Sequence, residues 1–539
     1  MTVFRKWFER SWSTSEAIIL VALFATIAYN QRVLSEVLSA FGDTWHGFLF
    51  VGAVFTQLLA VLILILSALC HRALLKPTLI VFLLLSSVLS YFASRYGTIF
   101  DAQMIANVLE TDAAEAGDLL NHQLVLSVVL LGVLPAMAVW LARIEFPPWR
   151  AEIWPRLKLA VAALAAIVLA YLPFAGHTAS LLREHRQITR KVIPVFALSS
   201  AVKLAVGSFH TGAQAHIVVG ADAKKLSGSS HRKLVIFVVG ETVRADHWGL
   251  NGYARNTTPN IGRLGAVNFP DFWSCDTSTA TSVPCMFSNL TREGFDRTAA
   301  VNRDNVLDVL ARAGVSVLWR DNNSSSKGVA DRVTYQNFKT PERNPICQDG
   351  ECRDEGMLHG LQDYIDSQSG DILIILHQMG NHGPAYFKRY PKSFQRFTPT
   401  CSTNDLGSCS AEEIANAYDN AILYTDDFLS KVIDVLKSNE AQFDTAMFYV
   451  SDHGESLGEY GIYLHGMPYA LAPEAQRHVP AVMWFGDRIK RRSDFVRLEE
   501  RRKQRWSHDN IYATLLGLFD VGTKSYDPAF DMLAHVIKR

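Results

Sequence analysis

The sequence predicts an α/β protein in two parts. The N-terminal part is a transmembrane helical domain with about five spans, and the larger C-terminal part is a domain with a mostly parallel sheet covered by helices. Three observations lead to this prediction. The first third of the 539 residues contains several apolar stretches long enough to span a bilayer. In the remainder, apolar strands alternate with helices. Several of these strands end at a carboxylate or an imidazole.

The N-terminal third holds apolar stretches close to the roughly 20 residues that a bilayer requires. Further spans follow the first, which therefore does not resemble a cleavable signal peptide. The predicted spans are Glu16–Val33, Phe48–Cys70, Thr78–Ser94, Gln123–Leu141 and Leu159–Phe174.

The short loops predict the orientation in the membrane. Basic residues gather on one side of the spans, which the positive-inside rule makes cytoplasmic, and the opposite loops are acidic. An odd number of spans then places the C-terminal domain outside the cytoplasm. The basic residues are Arg5, Lys6, Arg10, His71, Arg72, Lys76, Arg143, Arg150, Arg156 and Lys158, and the acidic residues are Asp43, Asp101, Glu110, Asp112, Glu115 and Asp118.

Cysteine usage supports an exterior location. Cys70 is alone within a span, and the other six cysteines fall as close pairs in the C-terminal domain. Six thiols allow 15 connectivities, of which sequential neighbours are the simplest. A cysteine zinc site would need a Cys-x2-Cys spacing that these pairs lack, whereas disulfides persist in oxidising compartments such as the periplasm. We therefore expect three disulfides: Cys275 with Cys285, Cys347 with Cys352, and Cys401 with Cys409.

Two segments near the predicted spans have distinctive patterns. Met104–Glu115 is predicted to be a helix whose residues Asn107, Thr111 and Glu115 share one face. That face would suit a lipid headgroup with an ammonium group, although an ordinary solvated face explains the spacing more simply. Leu181–Val206 mixes basic and apolar residues, which suits a helix in the membrane interface or an inert tether. The predicted domains are a membrane domain (1–176), an interfacial basic helix with a linker (177–231) and an exterior domain (232–539).

The exterior domain alternates apolar strands with helices, which predicts a largely parallel sheet covered on both faces. The predicted strands are Lys233–Gly240, Val315–Trp319, Asp371–Leu376, Thr445–Val450 and Ala481–Phe485. The predicted helices are Asn305–Ala313, Cys352–Asp366, Ala411–Lys437 and His508–Leu518.

Candidate metal ligands follow three of these strands. Asp452 and His453 come after Thr445–Val450, and by themselves they could be a helix cap and a core histidine. The pattern recurs, however, with Glu241 after another strand and with two histidines after a third, and side chains at such exits point into ligand sites. Carboxylates and imidazoles suit a divalent cation such as zinc, so the sequence predicts one metal centre in an enzyme. The further candidate histidines are His377, His382 and His465.

A nucleophile must come from another segment. The stretch between Cys275 and Cys285 offers several serine and threonine hydroxyls. A neutral hydroxyl is a poor nucleophile unless a base or a metal activates it. Physical reasoning alone does not choose among these residues, and the formal net charge of zero gives no indication of a nucleic-acid partner.

The whole chain resembles the phosphoethanolamine transferases that modify lipid A in the bacterial envelope, which are members of the alkaline-phosphatase superfamily. The resemblance depends on five motifs. They are Val239–Thr242, Ser278–Ala280 ahead of Ser282–Ser288, Asn381–Pro384, Ser451–Gly458 and Ser507–Asn510. The chain departs from many relatives at Asp276, where they have glycine, and at Ser326 and Ala330, where some have a further cysteine pair.

The resemblance implies roles for single residues. Zinc would be bound by Glu241, Thr279, Asp452 and His453, with Thr279 as the nucleophile. His382 and His465 would lie near the substrate phosphate or a second zinc. The other implied substrate-binding residues are Ser324, Lys327, Asn107, Thr111 and Glu115.

The resemblance also implies the reaction. Phosphoethanolamine would pass from phosphatidylethanolamine to a phosphate of lipid A through a covalent threonine intermediate, a modification linked to polymyxin resistance. The protein would be a monomer of the inner membrane with its catalytic domain in the periplasm. A core-sugar or Kdo acceptor, or a phosphoglycerol headgroup, remains an alternative. A sulfatase is disfavoured because Cys285-Met286-Phe287 lacks the Cys-x-Pro-x-Arg setting, and a metal-stabilised membrane sensor is the non-enzymatic alternative.

Overall fold

A computed structural model describes residues 10–71, 74–111, 113–210, 215–226, 231–348 and 350–537. Arg5, Lys6, Arg72 and Asp112, which entered the orientation argument, lie outside these ranges, as do residues 211–214 and 227–230 of the predicted linker. The chain forms two compact units. One comprises Met1–Ile105 and Leu120–Gly207, and the other comprises Ala106–Leu119 and Ser208–Arg539. The predicted three-part division remains a prediction.

The first unit is helical. Among the described residues, four helices are long and apolar enough to cross a membrane: Trp45–Leu69, Leu75–Arg95, His122–Leu141 and Arg150–Glu184. A bent pair, Thr14–Tyr29 and Gln31–Phe41, would make a fifth span. The span His122–Leu141 contains a π-helical turn at Val129–Val133, and the last span contains a 3-10 turn at Leu172–Phe174.

The first predicted span, Glu16–Val33, is interrupted at Asn30, where the two helices meet at 62°. The buried Asn30 amide donates to the backbone oxygen of Ile193 at 2.9 Å, and its own oxygen accepts from the backbone nitrogen of Ile193 at 2.9 Å. This side chain therefore bonds to a distant segment at the point where the helix breaks.

Two other predicted helices are also divided. Leu181–Val206 falls into Ala175–Glu184, Arg186–Thr189 and Val195–His210, and the last begins after Pro194, whose ring suits a helix start. Met104–Glu115 falls into Ala102–Glu110 and Ala113–Leu119. Asn107 and Glu115 thus belong to different helices, and the prediction of one continuous polar face is wrong.

In its described residues, the second unit contains an eight-stranded sheet. We number the strands in chain order: β1 Arg232–Gly240, β2 Val267–Trp273, β3 Ser316–Asp321, β4 Thr334–Asn337, β5 Ile372–His377, β6 Phe443–Ser451, β7 His478–Phe485 and β8 Trp506–Ser507. The spatial order is β8-β2-β7-β6-β1-β5-β3-β4. Strand β7 is antiparallel to both of its neighbours and the other pairs are parallel.

The sheet is buried on both faces because its central strands are continuously apolar. In β1, Val235, Phe237 and Val239 point into one core, and the alternate residues point into the other. Helices Val306–Arg312 and Ile511–Leu518 cover the first face, and the long helix Ala411–Ser438 covers the second. The mostly parallel, helix-covered sheet of the prediction is therefore present.

The remaining α-helices of this unit are short. Within the described residues, they are Ala113–Leu119, Pro259–Arg263, Thr279–Met286, Arg297–Val301, Leu361–Ser367, Glu474–Arg477, Asp487–Arg492 and Phe495–Arg501. The predicted helix Cys352–Asp366 is instead a 3-10 turn, Asp354–Leu358, followed by Leu361–Ser367. Gly360 separates them at a φ of 62°, a left-handed conformation that ends one helix before the next begins.

Two-residue strand pairs and disulfides complete the unit. The pairs are Lys224–Lys225 with Val521–Gly522, Cys347–Gln348 with Glu351–Cys352, and Ser456–Leu457 with Tyr463–Leu464. The first unit has one such pair, Ser11–Trp12 with Arg143–Ile144. Disulfides join Cys275 to Cys285, Cys347 to Cys352, and Cys401 to Cys409, and Cys70 is a buried free thiol.

Candidate active site

Two predicted metal ligands, Glu241 and Asp452, lie at the ends of two neighbouring parallel strands. Strand β1 ends at Gly240, β6 ends at Ser451, and these two residues are register partners. Glu241 and Asp452 follow directly and are completely buried. The register of the sheet therefore brings together two carboxylates that are more than 200 residues apart in the chain.

Thr279 lies among these groups. It is the first residue of the helix Thr279–Met286, and the disulfide between Cys275 and Cys285 joins the loop before the helix to the helix itself. Its hydroxyl oxygen is 3.3 and 3.4 Å from the two carboxylate oxygens of Glu241 and 3.2 Å from Nε2 of His453. The N-terminus of a helix also favours negative charge at this position.

His453 presents a neutral nitrogen to the site. Its Nδ1 is 2.9 Å from the carbonyl oxygen of Gly454 and donates to it, which leaves a lone pair on Nε2. Burial lowers the pKa of His453 to about 3, although Asp452 opposes that shift. Nε2 lies 3.3 Å from Oδ2 of Asp452, so two acceptor atoms face each other at close range.

The donor set fits a divalent cation. Glu241, Asp452 and His453 offer ligand atoms that all lie within 4.8 Å of one another. Oδ2 of Asp452 is buried and has no hydrogen-bond partner within the described ranges, whereas its Oδ1 accepts from two backbone N–H groups. Burial and the neighbouring Asp452 raise the pKa of Glu241 well above its usual value. A cation would relieve this repulsion, and oxygen with imidazole nitrogen is a ligand set of zinc.

Asn323 and His508 support the cluster, and sequence reasoning assigned neither a role. The Asn323 amide donates to Oε2 of Glu241 at 2.7 Å and to the carbonyl oxygen of Gln378 at 2.8 Å. The buried His508 accepts from the backbone nitrogen of Cys275 and donates to the carbonyl oxygen of Ser451, both at 3.0 Å. It thus ties the Thr279 loop to the end of β6. The Ser507–Asn510 motif was its only sequence signal.

His465 and His382 form a second layer beside the cluster. The ring centre of His465 is 4.3 Å from that of His453 and 5.7 Å from that of His382. Burial alone would lower the pKa of His465, but Glu455, whose Oε1 is 3.3 Å from Nδ1, and other acids raise it overall. Nε2 of His382 lies 3.2 Å from Oε1 of Glu115.

Glu115 is an ionised group in this layer. Burial would raise its pKa, but His382, His465 and Lys327 outweigh burial and bring the pKa down to about 2. Glu115, His382 and Ser324 also line one small cavity of about 80 Å³. Three predicted residues from separate segments therefore meet here.

The remaining predicted residues make other contacts. Thr111 Oγ1 donates to the backbone oxygen of Asn107 at 2.9 Å. Oδ1 of Asn107 is buried without a partner in the described part of the chain. His377 is not in the cluster, contrary to expectation, because its Nδ1 pairs with Oδ2 of Asp321 at 3.0 Å. Lys327 adopts a positive φ of 51° and acts on Glu115 through its charge.

A buried arginine links the Glu115 helix to His382. Arg389 donates through Nε to the carbonyl oxygen of His382 at 2.6 Å, and its two Nη atoms pair with Asp118 at 2.5 Å and Glu351 at 2.6 Å. Asp118 and Glu115 are three residues apart on the helix Ala113–Leu119. The helix is therefore held both through His382 itself and through the arginine bonded to the His382 backbone.

Comparison with known proteins identifies the family. The family model for sulfatases matches residues 233–521, and the model described as phosphoethanolamine transferase EptA/EptB matches residues 58–209. Phosphatidylethanolamine transferase Mcr-2 of Escherichia coli is 43% identical over 536 residues, covering 97% of this chain and 98% of the relative. The chain belongs to the phosphoethanolamine transferase family.

Two further relatives show how far the family match extends. Phosphoethanolamine transferase EptA of E. coli K12 is 39% identical over 420 residues, 76% of each chain. The structure of the integral membrane protein lipooligosaccharide phosphoethanolamine transferase A from Neisseria meningitidis matches with a TM-score of 0.95 and 34% identity, covering 98% of this chain and 100% of that one. The predicted fold class, apolar helices followed by a sulfatase-like α/β domain, is confirmed.

Proposed function

We propose that this phosphoethanolamine transferase moves the headgroup of phosphatidylethanolamine to a phosphate of lipid A through a covalent adduct on Thr279. The observation that carries this proposal is the position of the Thr279 hydroxyl, 3.2–3.4 Å from Glu241 and His453 at the start of a helix. The names of the relatives support phosphoethanolamine as the transferred group.

Glu241, Thr279, Asp452 and His453 would hold one zinc ion, and His382 with His465 would contact the substrate phosphate or a second ion. Bound zinc lowers the pKa of an oxygen ligand and offsets charge on phosphoryl oxygens. The chain itself supplies the alignment. His453 keeps its Nε2 lone pair inward because Nδ1 is bonded to Gly454, and Asn323 fixes one oxygen of Glu241.

In the first step, Thr279 Oγ1 forms a bond to the phosphorus of phosphatidylethanolamine, and its proton passes to solvent. The bond between phosphorus and the diacylglycerol oxygen breaks, and His382 or His465 donates a proton to that leaving oxygen. The ammonium group of Lys327 offsets charge on the phosphoryl oxygens, since phosphoryl transfer depends on positioning and electrostatics. An oxygen of the acceptor phosphate then displaces Thr279.

The donor also needs a site for its ammonium group. Glu115 remains ionised because its pKa is about 2, which suits a cationic headgroup. Asn107 and Thr111 precede it on the same segment, and Ser324 shares its cavity. We propose that these residues recognise ethanolamine, in a monomeric inner-membrane protein whose catalytic domain is periplasmic.

The main alternative function differs from the proposed one in the acceptor. A relative that is 32% identical over 298 residues, half of its length, is named Kdo(2)-lipid A phosphoethanolamine 7''-transferase, so a Kdo acceptor is the second candidate. A different headgroup would make the chain a phosphoglycerol transferase. Mass analysis of the modified glycolipid identifies both the group and its position.

A transfer assay tests the proposal. It combines purified, zinc-loaded protein with fluorescent phosphatidylethanolamine as donor and lipid A as acceptor. We expect diacylglycerol release and lipid A that is heavier by one phosphoethanolamine group. Thr279→Ala should abolish both, whereas Thr281→Ala, a threonine two residues further along the same helix, should retain them. Full transfer by Thr279→Ala would refute the covalent scheme.

A further inference from the structure

Three arginines and two aromatic rings form a group that the steps above do not use. The guanidinium carbon of Arg505 lies 4.1 Å from the ring centre of Trp273, and that of Arg292 lies 4.4 Å from the ring centre of Tyr469. The guanidinium of Arg477 lies between the two rings, at 5.9 and 5.3 Å. We call these five residues the arginine cluster.

The arginine cluster is bonded to the loop that carries the nucleophile. Trp273 ends β2, and the next residue, Ser274, donates its backbone N–H to the carbonyl oxygen of Arg477 at 2.8 Å. Thr277 donates through Oγ1 to the carbonyl oxygen of Met467 at 2.5 Å, two residues before Tyr469. The cluster is thus attached to the loop on both sides, within a few residues of Thr279.

The charges of the cluster are not neutralised by ion pairs. Arg292, Arg477 and Arg505 form no salt bridge with any carboxylate in the described ranges, and Nε of Arg477 is buried without a hydrogen-bond partner there. Three carboxylates lie against the group: Asp271 accepts from Nε1 of Trp273, Asp276 acts on Tyr469, and Asp509 acts on Arg292 and accepts its backbone N–H.

Stacking leaves these guanidinium groups ready to bind an anion. A guanidinium that lies over an aromatic ring uses its face, so the N–H groups in its plane remain available. Such N–H groups form bidentate hydrogen bonds with phosphate oxygens, and several neighbouring guanidinium groups suit the charge of a phosphate monoester. An exposed Arg292 and Arg505 beside a half-buried Arg477 give a surface open to a large ligand.

We propose that the arginine cluster binds the phosphate monoester of the acceptor glycolipid and presents its oxygen to the adduct on Thr279. This inference rests on the proposed function. In the second half-reaction, an oxygen of the bound phosphate forms a bond to the phosphorus of the adduct. The bond between that phosphorus and Thr279 Oγ1 breaks, and Oγ1 takes up a proton from solvent.

Measuring the two half-reactions separately distinguishes acceptor binding by the cluster from a general role of the cluster in folding. We would measure diacylglycerol release from fluorescent phosphatidylethanolamine without acceptor, and the KM for lipid A in full transfer, for the double variant Arg477→Gln/Arg505→Gln. Diacylglycerol release should be unchanged, and the KM for lipid A should rise about tenfold for each charged hydrogen-bonding group removed. Arg477→Lys/Arg505→Lys keeps the charge without the planar fork and should give a smaller rise.

Arg491→Gln is the matched control, because Arg491 is an exposed arginine on a different helix, Asp487–Arg492. It should leave both half-reactions unchanged. An unchanged KM for lipid A in the double variant would overturn the proposal. An equal loss of diacylglycerol release would also overturn it, since the cluster would then serve the donor or the fold.

A binding measurement distinguishes failure of this inference from failure of the proposed function. Full-length protein in neutral detergent is titrated with lipid A and separately with phosphatidylglycerol, whose phosphate is a diester. The double variant should lose affinity for lipid A about tenfold or more while phosphatidylglycerol binding is nearly constant. Equal losses would overturn the assignment to the acceptor. If wild-type protein transfers nothing, the proposed function fails and this titration still tests the cluster.

Discussion

Nε2 of His453 lies 3.2 Å from the hydroxyl oxygen of Thr279. The imidazole cannot turn this nitrogen away without losing the bond from Nδ1 to the carbonyl oxygen of Gly454. Both carboxylate oxygens of Glu241 lie within 3.4 Å of the same hydroxyl. A single threonine therefore sits among acceptor atoms from the ends of two neighbouring strands, an arrangement that favours a cation.

Removal of metal should weaken both the fold and the reaction. Without a cation, burial and the repulsion from Asp452 raise the pKa of Glu241 well above its usual value. We expect chelation to lower the unfolding temperature and stop diacylglycerol release, and added zinc to restore both. A free zinc concentration of 1,000 times Kd contributes about 4 kcal/mol. Full turnover by protein shown to be metal-free would contradict this prediction.

Asn323→Ala should weaken metal binding without removing a ligand. The Asn323 amide donates to Oε2 of Glu241 at 2.7 Å, and loss of such a supporting hydrogen bond costs about 10–100-fold in metal affinity. A competitive zinc titration measures the change. Asn268→Ala is the control, because that buried asparagine bonds to Leu250 and Asn251 instead. Equal zinc affinity in wild type and Asn323→Ala would count against a metal-binding Glu241.

Breaking the contacts of Arg389 should affect donor binding as well as stability. Arg389→Met removes a buried guanidinium from two ion pairs, so that Glu351 loses this partner and Asp118 keeps only Lys388, a change that costs up to about 3–5 kcal/mol. The unfolding temperature should fall, and Asp118→Asn in the same chain should recover part of it. Because Arg389 also fixes the backbone of His382, the KM for phosphatidylethanolamine should rise in both variants. Recovery of stability together with a normal KM would show that Arg389 is only structural.

His508 should make the protein less stable as the pH falls. Burial lowers its pKa from 6.5 to about 4. The unfolded chain therefore takes up the proton first, and stability should decline from about pH 6.5 down to pH 4. The full loss would be about 3 kcal/mol. His508→Gln, whose amide can replace both hydrogen bonds, should flatten the decline in unfolding temperature over this range. Parallel pH curves for the two proteins would contradict the prediction.

The sequence predicted best what short stretches of chain determine. Glu241 and Asp452 each follow a continuous apolar strand, and the periodicity that predicts a parallel sheet also predicts where its carboxyl ends lie. The cysteine pairs are neighbours in sequence and could be matched without knowledge of the fold. Thr279 could be singled out only by the family resemblance, because its loop offers several similar hydroxyls.

The sequence failed where a distant partner decides the local structure. The helix break at Asn30 depends on Ile193, and the support of the cluster depends on the contact between His508 and Cys275, 233 residues apart. The apolar run of His478–Phe485 indicates a strand but not its direction, which is antiparallel. Tertiary pairing of this kind leaves no periodic signal in the chain.

Mass spectrometry of the protein after brief incubation with phosphatidylethanolamine, without acceptor, tests the central claim most directly. We expect one phosphoethanolamine group on the peptide that contains Thr279, lost when lipid A is added and absent from Thr279→Ala. An adduct on another residue, or continued transfer to lipid A with Thr279 unmodified throughout, would contradict it.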